Sequence, residues 1–146
     1  MGKQGRADPP EQEDDMDGIG RLNVRVYTSR AQIPVAGATV VVTGKGTNGK
    51  LRLLSIQTTD SSGMIAPITI QTPNAIESTQ PEQNGLAPFA VCDVWAEHPG
   101  FAMLVVEGVQ IFPGVETFQA MELSPLTEGG NSLTETDVRE TPVQNL

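Results

Sequence analysis

Few residues in this chain are of a type that does chemistry. Cys92 is the only cysteine and His98 the only histidine among 146 residues. A cysteine nucleophile needs a cation or base beside it to hold the thiolate. By strand alternation Cys92 shares its face with Val94 and Ala96, and with no His or Lys. Cys92 therefore reads as core, with a crosslinking thiol as the second reading; one cysteine allows no intramolecular disulfide. His98 precedes the turn pair Pro99-Gly100 and reads as a solvated turn residue. A zinc centre or a Ser-His-Asp triad needs more partners than one isolated imidazole. On the opposite face from Cys92, Trp95 stands between Asp93 and Glu97. A tryptophan on an outer sheet face can stack on a sugar ring or a partner protein. It can equally lie beneath the long 71–87 connection. Asp93, Trp95 and Glu97 are the candidate contact residues.

Two further motifs lose on inspection. Gly44-Lys45-Gly46-Thr47-Asn48-Gly49-Lys50-Leu51 approaches a phosphate-binding loop, but Leu51 replaces the Mg²⁺-holding hydroxyl. A strand pattern follows where a helix N-terminus should supply N–H groups, so a hairpin turn is expected. Glu13-Asp14-Asp15-Met16-Asp17-Gly18 looks like the opening of a calcium loop. Its twelfth position falls on Val24 instead of a bidentate Glu, and no helical pattern flanks it. No cofactor or metal is expected.

The elements that would position these residues are short strands. Leu22, Val24 and Val26 alternate with Arg21, Asn23, Arg25 and Tyr27 over 20–28, a half-buried strand pattern. Residues 33–37 form a Pro/Gly turn. Strand 38–43 follows, with Ala38, Val40 and Val42 inward, then the Asn48-Gly49 hairpin signal and strand 51–58. After a turn at 60–63, strand 64–70 is interrupted by Pro67, which suggests an edge. Residues 71–87 form a long polar connection, a length that marks a functional or mobile loop. Strands are then expected at 89–97, 101–106, 108–112 and 115–123. No helical period is sustained, and strands punctuated by Gly and Pro predict an all-β fold, an antiparallel sandwich of about seven strands.

Charge divides the chain. Residues 1–17 carry six acids against Lys3 and Arg6, and 127–146 carry four acids against Arg139, leaving eight acids and six bases between. The acidic ends are poor in apolar residues and cannot offset the entropy of ordering. The expected organisation is a disordered acidic tail over 1–18, a sandwich over 19–126 and a second disordered acidic tail over 127–146. Without a basic stripe, nucleic acid and anionic membrane surfaces are disfavoured partners. No stretch approaches the roughly 18 apolar residues of a membrane helix. The N-terminus lacks the apolar core of a secretory signal, and its Met-Gly opening has Arg6 where a myristoylation start needs Ser or Thr.

The sequence also carries a family pattern. Gly20-x-Leu22-x-Val24-x-Val26, Pro34-Val35-x-Gly37-Ala38-x-Val40-x-Val42 and Thr59-Asp60-x-x-Gly63 resemble the carboxypeptidase regulatory-like family. That family is related to the transthyretin (prealbumin) fold and the Cna B-type repeats. The likeness continues through Asp93-Val94, Gly100-Phe101, Val109-Gln110-Ile111-Phe112-x-Gly114 and Leu123-Ser124-Pro125-Leu126. This second half is similar to stand-alone domains of spore-forming Firmicutes found beside peptidoglycan-binding or spore-envelope proteins. The resemblance covers about residues 18–126 and implies a prealbumin-like or Ig-like sandwich. Related domains usually carry an aromatic residue where this chain has Cys92. The transthyretin-like hydroxyisourate hydrolases depend on more than one His and a Tyr-Arg-Gly-Ser ending, neither of which is here. Cna B relatives often carry a Lys–Asn isopeptide bond, but Lys3, Lys45 and Lys50 fall in a tail and a turn.

Together these readings lead to the expectation of a non-catalytic structural or protein-interaction module, of the cell envelope or spore, acting through sheet faces or strand edges. A protein partner or self-association is expected. The alternative is a carbohydrate- or peptidoglycan-binding module using Trp95 and the 71–87 loop. An enzyme is not expected, and the absence of a signal fits a cytoplasmic or spore-deposited protein.

Overall fold

The computed structural model describes residues 18–45, 49–72, 89–126 and 136–141. Among the described residues nine strands make two facing sheets: β1 (Ile19–Thr28), β2 (Ile33–Pro34), β3 (Thr39–Lys45), β4 (Leu51–Thr58), β5 (Ile68–Gln71), β6 (Ala90–Glu97), β7 (Met103–Ile111), β8 (Glu116–Leu123) and β9 (Thr136–Glu140). The first sheet is centred on β1, which pairs antiparallel with β2 and β5 and parallel with β8. The second runs β4-β3-β6-β7-β9. The chain is all-β, and among the described residues no helix is long and apolar enough to cross a membrane.

The period-two pattern explains the core. Leu22, Val24 and Val26 of β1 face Val40 and Val42 of β3 and Cys92, Val94 and Ala96 of β6, all essentially without exposure. Leu104, Val106, Val109 and Ile111 of β7 and Met121 and Leu123 of β8 complete the same cluster. Each inward aliphatic side chain contributes roughly 1.5–3 kcal/mol by leaving water. A polar clasp closes one end of the sandwich. The buried Thr59 hydroxyl donates to the Val35 carbonyl at 2.7 Å and accepts the Ala38 N–H at 2.9 Å. Gly63 turns the chain under β1 with φ +77, and a Cβ there would stand 2.3 Å from the Val26 carbonyl oxygen. Only glycine fits both that dihedral and that gap.

The sheets differ from expectation in four places. The sandwich is not purely antiparallel, because β8 crosses over from β7 and lies parallel to β1. The pieces expected at 101–106 and 108–112 are one strand, β7, which passes through a bulge without ending. Ile33–Pro34, read as turn, makes a two-residue pairing with β1. Finally, Thr136–Glu140 lies in the stretch read as a solvated tail, yet pairs parallel with β7. The open backbone of a long, apolar edge strand explains that pairing, since unpaired edge groups attract a neighbouring strand. The expected tail over 1–17, residues 46–48 of the hairpin, most of the 71–87 connection and the remaining C-terminal segments lie outside the described residues.

Candidate functional site

The outer face of the five-stranded sheet carries the chemically equipped surface. Strand registers place Ile56, Val41, Trp95, Val105 and Val138 in one row across β4, β3, β6, β7 and β9. Val105 is 3 % exposed although it points away from the core, because it sits between Trp95 and Val138 in that row. Trp95 is half-buried, and its Nε1–H donates to the Thr43 hydroxyl at 3.4 Å. Glu97 lies one pleat further along the same face, opposite Thr39. The three candidate contact residues thus share a face, but Trp95 is a packed member of an apolar row instead of a free aromatic platform.

Asp93 has a different task. Cys92 pairs with Val109 and Val94 with Val106, so Asp93 faces both Glu107 and Gly108 across a bulge. Gly108 adopts φ +77 there, and its N–H donates to Asp93 Oδ1 at 3.0 Å. A second irregularity lies on the far side of β3, where Val42 pairs with Ser55 and Thr43 with Leu53. Bulges sharpen local twist and re-aim side chains. Between the two, the sheet surface dips into an open-sided cleft of about 250 Å³, lined by Thr43, Lys45, Val91, Asp93, Glu107 and Gly108. Val91 is exposed, as are Leu51 and Leu53, which pair with Lys45 and Thr43. The cleft therefore combines two carboxylates, one ammonium, one hydroxyl and an apolar margin. A second recess of about 330 Å³ lies at the flank of the sandwich beside Tyr27, Leu104, Gln119 and Arg139.

Cys92 forms part of the floor beneath this cleft, with its side chain turned into the core and 1 % exposed. Burial pushes its thiol up to about 12, with the neighbouring Asp93 charge adding to the effect. A protonated, enclosed thiol is neither a nucleophile nor accessible to another chain. His98 stands in its turn, with Nδ1 2.8 Å from the Pro99 carbonyl oxygen and its ring edge-on to Phe101. Among the described residues no three His, Cys, Asp or Glu side chains gather as a metal-binding group.

Of the residues lining this cleft, Asp93 was among the candidate contacts read from the sequence, whereas Thr43, Lys45 and Glu107 were not. The signal for Glu107 was present: Glu107-Gly108 interrupts the run from Met103 to Ile111, the pattern of a bulge within one strand.

No family model and no curated protein matches the chain. Solved structures are similar in fold. Catechol 1,2-dioxygenase from Acinetobacter radioresistens aligns over 90% of this chain at 13% identity and a TM-score of 0.53. Transthyretin from Sparus aurata aligns over 73% of this chain and 90% of its own, at 19% identity and a TM-score of 0.46. A minor pilin of Streptococcus agalactiae aligns over 75% of this chain and 46% of its own, at 14% identity and a TM-score of 0.44. The chain spans 60% of the dioxygenase's length. Identity this low shows the fold alone.

These comparisons correct the expected function. The reading as a non-catalytic structural or protein-interaction module, with a glycan-binding alternative, does not stand, because solved structures with this sandwich include catechol 1,2-dioxygenase. The same strand framework carries unrelated functions, so an all-β sandwich gives no ground for excluding catalysis.

Proposed function

We propose that this chain is a small-molecule-binding sandwich of the carboxypeptidase regulatory-like kind, taking its ligand in the cleft between β3, β6 and β7. The binding unit is the sandwich beginning at residue 19, with β9 as its last strand. The observation that carries this reading is the pair of flanking bulges. They place Lys45, Asp93 and Glu107 around one recess, with Thr43 between them and Val91 at the margin. A site with a few convergent polar groups beside an apolar wall is the usual form of a small-ligand pocket. Two carboxylates against one ammonium favour a cationic partner, and Lys45 adds a place for a carboxylate. The matching ligand class is a small amine or an ammonium–carboxylate zwitterion with a short aliphatic body.

Neither Cys92 nor His98 supplies a reacting group to this cleft. The Cys92 thiol is enclosed and pushed up to about 12. The His98 ring is occupied with Pro99 and Phe101 in a turn on another part of the surface.

The test is an amide-shift titration of the full chain with cadaverine, hexanoate and aminocaproate. Saturable shifts at Thr43, Lys45, Asp93 and Gly108 with the two amines, and none with hexanoate, are expected. Shifts spread over the whole surface, or none with either amine, remove the reading.

A further inference from the structure

The cleft reading, on which this inference rests, leaves one structural fact unexplained: why the C-terminal strand ends where it does. β9 supplies no residue to the core cluster, and its Val138 remains 57 % exposed. It is held chiefly by its parallel pairing with β7 over Met103 to Glu107. Few buried contacts and an exposed hydrogen-bond ladder mark a strand that opens at low cost.

Its last bond falls on the cleft. The Thr141 N–H donates to the Glu107 carbonyl at 2.8 Å. The other end of the same peptide group, the Gly108 N–H, donates to Asp93 Oδ1 at 3.0 Å. One peptide plane is therefore gripped from β9 on one side and from β6 on the other. Hydrogen bonds in series polarise one another, so the Thr141 bond strengthens the one that fixes Asp93. The plane also carries the backbone from which Glu107 reaches the cleft rim. Position 108 lies close under the strap, since a Cβ there would stand 3.8 Å from the Thr141 carbonyl oxygen.

We infer that β9 is a strap that sets the shape of the cleft, so that a ligand in the cleft and β9 docked on β7 reinforce each other. Coupling of this kind is reciprocal: whatever loosens β9 weakens the ligand, and the ligand in turn tightens β9. A chain segment that leaves the sheet edge would empty the site without touching any side chain that lines it.

The experiment uses the full chain and aminocaproate as probe. Thr141→Pro removes the N–H that holds the Glu107 carbonyl, because proline has no donor; Thr141→Ala keeps it. Thr141→Pro is expected to move the Asp93 and Gly108 amide resonances and to weaken aminocaproate about tenfold. Thr141→Ala does neither. In the unmodified chain, saturating aminocaproate slows hydrogen exchange at the β9 amides. Unmoved Asp93 and Gly108 resonances in Thr141→Pro, with unchanged affinity, overturn the strap and leave the cleft reading intact. Failure of aminocaproate to bind the unmodified chain overturns the cleft reading and the coupling with it.

Discussion

Asp93 Oδ1 accepts the Gly108 N–H at 3.0 Å, and this bond joins β6 to β7 where their regular pairing lapses. A bulge leaves one peptide unit without its ladder partner, and here a carboxylate takes that place. Asp93→Ala strands the amide in a part-buried position and is expected to cost about 1–3 kcal/mol. Asp93→Asn keeps an acceptor and should cost clearly less. Urea unfolding of both variants checks the order; equal losses would mean that the carboxylate acts only through its charge.

Gly63 admits no side chain. Its φ of +77 and the 2.3 Å approach to the Val26 carbonyl act together, so Gly63→Ala combines a strained dihedral with a clash against backbone. The dihedral alone costs on the order of 1–3 kcal/mol, and the clash adds to it. Thermal unfolding should show a loss at or above the top of that range. A drop of less than about 1 kcal/mol would show that the 60–63 turn rearranges freely.

Thr59 ties the start of β3 to the end of β2 through two hydrogen bonds made by one hydroxyl. Thr59→Val preserves the shape and removes both, leaving the Ala38 N–H and the Val35 carbonyl unpaired beneath the surface. A loss of about 1–3 kcal/mol is expected, with Thr59→Ser retaining most of the stability. Hydrogen exchange at Ala38 reports the local effect directly.

The Cys92 thiol sets a pH dependence with a definite sign. Its value rises from 9.0 in the free state to about 12 in the fold. Below about 9 both states are protonated and the group is neutral to stability. Between about 9 and about 12 the unfolded chain releases the proton and the folded chain retains it, so stability falls as pH rises. Comparing urea unfolding at about pH 8 and about pH 10.5 in the parent and in Cys92→Ala isolates the contribution. An equal alkaline loss in both proteins would assign it to other groups. In the folded chain the thiol should also resist alkylation near neutral pH and react only on unfolding.

Much of the sandwich was legible from alternation. The inward sets Leu22/Val24/Val26, Ala38/Val40/Val42 and Cys92/Val94/Ala96 are the ones the structure buries, because a half-buried strand writes its facing into a period of two. Partner choice was not legible. Nothing in 116–123 distinguishes a parallel neighbour of β1 from an antiparallel neighbour of β7, since both bury Met121 and Leu123 equally well. β9 was hidden for another reason: Thr136-Asp137-Val138-Arg139-Glu140 has one apolar side chain among four polar ones, and its pairing uses backbone groups that side-chain patterns do not report. The site divides in the same way. Asp93 could be named because it shares a strand face with Trp95, whereas Lys45 and Glu107 reach the cleft only through two bulges, which depend on register between strands.

The place of β8 beside β1 has a consequence for how the protein is made. As the chain is synthesised, β1 emerges first but gains its longest partner only after Leu123 has appeared, about a hundred residues later. Until then β1 has the short strands β2 and β5 on one side and bare backbone on the other. Pairings between distant segments form slowly, because the loop must close before the contact rewards it. The first sheet therefore stays half-built through most of synthesis, and a nascent chain halted before Leu123 exposes one unpaired edge of β1.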